Sequence, residues 1–573
     1  MANYVSFTPT TIIGKAMFNF DAMGGTDFML SGTVAVSVSD AFTSAQYLAF
    51  PSSISPNTYT SLSSGKGGWT TAQLANIDAI THAYSQFINL GFSPVSNYSG
   101  YTPANVGNSS DINISLIHRT DLPYSGISAL NTDASFLYAG SRGDVVLNVD
   151  GFGSTGLSND SSLTTTSFGG HTLMHEIGHS LGLSHPHSAI VKGVATLTSD
   201  YSATTTVGFD KLGFHISSPA GMNKEYFTIM SYDDEKPASG PDTFAQTPMI
   251  LDVIALQGAY GEGSGTSENA NDVITPGAST GVTSFRTYFD TGGTDTIDLS
   301  NYAQGAYLHM GTTIAGATHL VGVSMSAGDF DTMANLAGDP SSLRWFYGEF
   351  ENATGSPGAD RVIGNRLNNV INGGNGNDFL VGDAGNDTLD GGGGVDIAAY
   401  AGNRSAFTMI HNSDGSYALK DNTGSEGTDT LTNIERLQFA DKKIAIDLSP
   451  AGSAGKTAEL IVAAFGAAAL ANTQYAAIGL RLFDGGYSLQ QVARMCIDSG
   501  QISAPDDTSF VTAVWLNVVG SPIDPANLVY FTGRLQGIEP MSQAALLELA
   551  ATCPTNQDHI GLIGLASTGI EYA

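Results

Sequence analysis

The residues best suited to chemistry lie in one run, His175-Glu176-Ile177-Gly178-His179-Ser180-Leu181-Gly182-Leu183-Ser184-His185. On a helix, His175 and His179 stand one turn apart on the same side, so both imidazoles can reach one metal ion. Glu176 sits beside that face, where its carboxylate can address water at the metal without ligating it. Gly182 can end the helix, because a residue without Cβ takes positive φ at little cost. The chain can then turn and bring back His185 as a third ligand. Three protein ligands with an open fourth position describe a catalytic zinc site and not a structural one. His171 and His187 lie close by and are read as supporting or surface residues.

A second chemistry is written in the spacing of aspartates. Gly373-Gly374-Asn375-Gly376-Asn377-Asp378-Phe379-Leu380-Val381 is followed in register by 382–390 and 391–399. Asp378, Asp387 and Asp396 recur every nine residues, and Asp360 and Asn369 fall on the same grid. Gly373, Gly374 and Gly376 in the first copy, Gly382 and Gly385 in the second, and Gly391 and Gly394 in the third make turns whose carbonyls and carboxylates suit calcium. Each turn leads into a short strand with one apolar residue to bury: Val362, Val370, Leu380, Leu389 or Ala398, allowing a one-residue slip. One unit cannot bury that residue alone, so the units must stack, as a parallel β-roll does.

Other segments must position these residues. Thr70 to Leu90 has helical spacing, with Leu74, Ile77, Ile80, Ala83, Phe87 and Leu90 on one face and Thr70 or Thr71 as cap. Residues 111–117, 135–139 and 144–149 read as strands. The histidine helix begins near Gly170. Thr247 to Gly261 reads as a further helix, with proline in its first turn and Gly261 as its stop. Beyond the repeats, 457–472, 488–499, 509–519 and 541–551 read as helices.

Composition excludes several classes. Asp and Glu outnumber Lys and Arg 53 to 21, for a formal net charge of −32, so nucleic acid is not an expected partner. The carboxylates suit hard cations. The two cysteines, Cys496 and Cys553, form no disulfide scaffold and leave open one bridge or two thiols. The first residues lack a basic segment followed by an apolar run, so no cleaved secretory signal is expected. The most apolar helical stretch, 460–471, is too short to span a bilayer.

The histidine run resembles the long zinc signature of the metzincin metalloproteases. Thr228-Ile229-Met230-Ser231-Tyr232 resembles that family's methionine turn. The resemblance implies Met230 as the floor beneath the metal and Tyr232 as a tyrosine that both binds zinc and swings off it to stabilise the oxyanion. The nine-residue units resemble RTX repeats, and the two signatures together resemble the serralysins. By that resemblance, 290–298 is the turn-and-strand entry to the roll, with a further calcium site at Asp295 and Asp298, and 427–431 echoes it on the exit side.

The fold class that follows is multidomain. An α+β metzincin-type catalytic domain would occupy 1–262, a parallel β-roll (RTX) domain 263–450 and an α-helical domain 451–573, the last resembling a helical module of some secreted RTX proteins. The resemblance implies a secreted or cell-surface zinc endopeptidase of a Gram-negative bacterium. It implies catalytic Zn2+, structural Ca2+, a protein or peptide substrate, one-step (type I) export with a C-terminal signal, and a small protein inhibitor. A short propeptide would lie within 1–20. The 135–140 segment would be the strand that binds extended substrate, residues between His187 and Thr228 would shape specificity, and a surface layer is a further partner. A calcium-dependent surface-binding protein without catalysis, and an amidase of cell-wall peptides, are the competing expectations.

Overall fold

The computed structural model describes residues 3–7, 27–39, 69–97, 112–117, 126–128, 144–148, 163–183, 207–210, 213–216, 225–231, 244–263, 265, 270–277, 284–290, 292–313, 317–334, 340, 343–502, 504–562 and 564–573. The chain divides into two compact units. One comprises 1–298 with 307–350, and the other 299–306 with 351–573.

The first unit is a mixed α/β body. Its main sheet runs in the order Ser96–Asn97, Val36–Ser39, Ile112–Ile117, Asp144–Asn148, Gly126–Ser128. The strands are parallel except for Gly126–Ser128, which pairs antiparallel with Asp144–Asn148 at the edge. The strands expected at 111–117 and 144–149 are thus present. The one expected at 135–139 lies outside the described residues.

Helix α1 (Thr71–Phe87) is capped by Thr70, whose hydroxyl accepts from Gln73 N–H while the Gln73 side chain accepts from Thr70 N–H. This reciprocal capping box satisfies two donors that helix termini leave open. The buried face is Ile77, Ile80, Thr81, Tyr84 and Phe87, with Leu74 and Ala83 at its margin. It is therefore turned slightly from the purely apolar stripe, because Tyr84 is drawn inward. Its hydroxyl donates to the Met174 carbonyl at 2.6 Å.

Helix α2 (Phe168–Ser180) carries the histidines. Helix α3 (Ile250–Tyr260) is stopped by Gly261 at φ 79°, as its sequence suggests. Pro248 falls just before the cap and not in the first turn, because the Met249 N–H is held by the side chain of Asp252. A second sheet in this unit orders Phe244–Ala245, Ser284–Asp290, Leu343–Gly348 and Leu320–Ser326.

The second unit holds the repeats and the helices. Strands of alternate repeats stack in parallel with an 18-residue period. Arg361–Ile363, Phe379–Val381 and Ile397–Ala399 form one wall, and Asn352–Thr354, Val370–Asn372 and Thr388–Asp390 the other. Val362, Leu380, Leu389 and Ala398 are fully buried between the walls. Val370 is the exception at 52% exposed; Ile371 takes the inside place, one residue along.

After Ala399 the chain leaves the roll and later resumes it. Thr428–Thr432 pairs in parallel with Thr388–Asp390, and Arg436–Gln438 with Ile397–Ala399.

The C-terminal region is helical: Ser453–Phe465, Thr473–Asp484, Leu489–Asp498, Asp507–Val519, Pro525–Gln536, Gln543–Ala551 and Pro554–Leu562. The helix expected over 457–472 breaks at Gly466, whose φ of 81° a right-handed helix cannot accommodate. Arg436 ties roll to helices, pairing with Asp447 at 2.6 Å and bidentately with Asp484 at 2.8 Å. Ile570–Tyr572 adds antiparallel to Lys443–Ala445. Cys496 and Cys553 are both free thiols. No described helix is long and apolar enough to cross a membrane.

Candidate metal centres

Three segments converge around α2. Ser167 caps the helix by accepting from Gly170 N–H at 3.1 Å. Tyr84 of α1 grips the Met174 carbonyl, and Tyr260 of α3 donates to the Leu181 carbonyl at 2.7 Å. Gly182 takes φ 102° and ends the helix. The third contribution is the segment 225–231, all of it buried.

His175 and His179 present their rings together, with centroids 4.8 Å apart and planes at 87°. His175 Nδ1 lies 2.7 Å from the Ile229 carbonyl, and His179 Nδ1 lies 2.7 Å from the Leu183 carbonyl. A carbonyl can only accept, so each Nδ1 is the protonated nitrogen and each Nε2 the one that can face a metal. Burial pulls His179 down to about 4, against the opposing effect of its bond to Leu183. The ring is thus neutral at physiological pH, the form a metal requires.

Glu176 is 6% exposed, and burial pushes it up to about 8. A nearby dication would favour its ionised form. Met230 is fully buried, its sulfur against Gly178, where any Cβ would crowd both it and the Tyr84 hydroxyl. That approach explains a glycine in the middle of α2. His171 pairs with buried Glu225 at 3.1 Å and so ties α2 to the 225–231 segment. His185, Tyr232 and His187 lie outside the described residues. Among the described residues no three His, Cys, Asp or Glu side chains converge as a metal-holding group.

Two supports of this centre carry no motif. Asp252, fully buried in α3, accepts from the Thr228 hydroxyl at 2.6 Å and from Ile229 N–H and Met249 N–H, both at 2.8 Å. Trp345 donates its indole N–H to the Tyr226 carbonyl at 2.5 Å. The one available signal for Asp252 was a lone carboxylate within an apolar helix. Trp345 had none, being 119 residues away in sequence from its partner.

In the roll, each turn hydrogen-bonds to the next in its column. Asp360 N–H donates to Asp378 Oδ1, and Asp378 N–H to Asp396 Oδ1, both at 2.8 Å. In the other column Asn369 N–H donates to Asp387 Oδ1 at 2.8 Å, and Asp387 N–H to Asp429 Oδ1 at 3.0 Å. The remaining oxygens of Asp378, Asp387 and Asp396 are buried without a hydrogen-bond partner. Buried carboxylate oxygens left in this state call for a cation. Burial, with the neighbouring carboxylates Asp360 and Asp396 for the first and Asp429 and Asp383 for the second, pushes Asp378 and Asp387 up to about 7.

The turn glycines lie where a side chain has no room. A Cβ on Gly373, Gly382 or Gly391 would strike the carboxylate of Asp378, Asp387 or Asp396, five residues on. On Gly374 and Gly376 it would strike the carbonyls of Ser356 and Gly358, and on Gly385 and Gly394 those of Leu367 and Gly376, all 18 residues earlier. Glycine therefore lets successive turns approach closely enough to bring carbonyls and carboxylates together. The sequence-predicted glycines thus share the turns with their aspartates.

Asp360 and Asn369 differ. Asp360 accepts from Ala306 N–H, Ser356 N–H and the Ser356 hydroxyl. Asn369 accepts from Asn365 N–H and donates to the Glu351 carbonyl and Asn365 Oδ1. In the first unit, Asp295 is buried and accepts from Asp272 N–H at 2.8 Å, while Asp298 is half-buried.

A family model described as RTX calcium-binding nonapeptide repeat (4 copies) matches residues 354–389 and 363–398. The chain is 27% identical over 324 residues to serralysin B of Dickeya chrysanthemi, covering 54% of this chain and 57% of the relative. It is 29% identical over 229 residues to a serralysin of Photorhabdus laumondii, covering 38% and 40%. It is 27% identical over 214 residues to metallopeptidase AprA of Pseudomonas marginalis, covering 36% and 39%. The chain thus spans about two fifths to three fifths of the length of these curated relatives. It is similar to serralysins and carries RTX calcium-binding repeats.

Proposed function

We propose that this chain is a secreted, zinc-dependent endopeptidase of the metzincin type whose roll is stabilised by calcium. The observation that carries the reading is the pair His175 and His179, each locked through Nδ1 to a backbone carbonyl, with Glu176 buried on the same helix and Met230 buried against its Gly178. His185 would complete the metal's ligands. Zinc held there would supply Lewis acidity toward a peptide carbonyl and toward water. Glu176 takes the proton from the attacking water and delivers it to the leaving nitrogen. Tyr232 donates to the oxyanion.

Among the described residues Gly126–Ser128 is the edge strand of the main sheet, to which an extended peptide could add. The roll would hold calcium at Asp378, Asp387 and Asp396, with backbone carbonyls of the turns that begin at Gly373, Gly382 and Gly391. Asp295 with Asp298 makes a further candidate site. The names of the relatives support peptide-bond hydrolysis as the activity.

The test is cleavage of an unfolded protein by calcium-loaded chain, with Glu176→Ala alongside and bound zinc measured in both. Expected are activity in the parent, a loss of roughly 10²–10⁴-fold in the variant, and equal zinc in the two. Zinc bound without cleavage of any protein or wall peptide would sink the reading in favour of a calcium-dependent binding protein.

A further inference from the structure

Asp252 sits in the first turn of α3 and does more there than a helix cap does. One oxygen holds the cap through Met249 N–H and also takes Ile229 N–H. The other takes the Thr228 hydroxyl, whose oxygen in turn accepts from Met230 N–H at 3.0 Å. The carbonyl of Ile229 receives His175 Nδ1. A continuous hydrogen-bonded chain therefore runs from a carboxylate in α3, through both sides of residue 229, to the imidazole of His175. Removing the carboxylate would strand three buried donors and release the loop that fixes that imidazole's tautomer. A capping bond alone needs only a polar side chain at the helix surface, whereas burial here pushes the acid up to about 7.

We infer that Asp252 is a positioning residue: it clamps the Thr228–Met230 turn so that the Ile229 carbonyl holds His175 with Nε2 toward the metal. This rests on the zinc reading of His175. It follows from the bonds around Asp252 and not from the histidine motif.

The experiment measures zinc affinity of the full, calcium-loaded chain by competition with a chelator, together with the melting temperature of the zinc-free protein. Two variants are compared. Asp252→Asn keeps size and one acceptor; Thr228→Val removes only the hydroxyl bridge and leaves the cap to Met249. Expected is weaker zinc binding by roughly 10- to 100-fold in Asp252→Asn and a smaller loss in Thr228→Val, with the zinc-free Thr228→Val melting below the parent and above Asp252→Asn, because it strands Met230 N–H but keeps the cap to Met249. Unchanged zinc affinity in both variants, with lowered melting temperatures as the only effect, would reduce Asp252 to a structural cap and overturn the inference alone. A parent chain that binds no zinc would overturn the functional reading, and the inference with it.

Discussion

The histidine centre and the repeat roll both gather polar side chains suited to metal, and they do so on opposite plans. In the roll, each carboxylate is held by the turn that precedes it in the same column, usually 18 residues back. Position and support come from one repeating instruction. At the histidine centre only the candidate ligands are local. Their supports come from Ile229, from Asp252 and, through Tyr226, from Trp345. A ladder of this kind rests on its neighbours along the column, whereas a convergent site rests on distant segments of the fold.

The widest test of that contrast is calcium removal across pH. Burial and neighbouring carboxylates raise Asp378 and Asp387 to about 7 and Asp429 to about 6. A carboxyl raised on folding contributes stability that is whole below its unfolded value, about 4, and is lost as pH rises through the folded value. Calcium-free roll should therefore melt progressively lower from about pH 4 to pH 7, and added calcium should restore it most at the upper end. Circular dichroism melts in chelator read this directly. A calcium-free melting temperature that climbs over the same range would remove the ion ladder from the account.

A sharper test compares two rungs. Asp387→Ala should lower the melting temperature by several degrees in calcium and change it little, or raise it, in chelator. Asn369→Ala should cost stability about equally in both, because Asn369 is satisfied by Asn365 and Glu351. Equal calcium dependence in the two variants would erase the distinction between an ion rung and an amide rung.

The smallest effect tests convergence. Trp345→Phe keeps an aromatic ring and deletes the bond to the Tyr226 carbonyl, so roughly 1–3 kcal/mol of stability should go with that buried acceptor. Chemical denaturation of calcium-loaded protein measures it. No loss would mean that the strand bearing Trp345 does not support the histidine centre.

The same contrast explains what was legible in sequence. The order of turns and strands in the roll could be read from its nine-residue grid, down to a slip that puts Ile371 inside in place of Val370. The turn at 427–429, outside the matched repeats, was recognisable only as an echo, because its partner lies 42 residues earlier. His175, His179, Glu176 and the positive φ at Gly182 follow from helical spacing. Asp252 and Trp345 do not, since no local pattern announces a bond to a loop elsewhere in the chain. In the helical region, Gly466 lay in an alanine-rich run that propensity alone reads as continuous, until its left-handed backbone divides the run.

The return of the chain to the roll has one more consequence. Both walls resume on register after the excursion that follows Ala399, as a screw thread resumes beyond a plain length of shank. Phase, and not distance along the chain, is what the re-entry preserves. Residues can be gained or lost within the hairpin turn 412–416 without turning the thread. A single residue lost between Gly373 and Asp396 would throw every later carboxylate to the wrong side of the pitch.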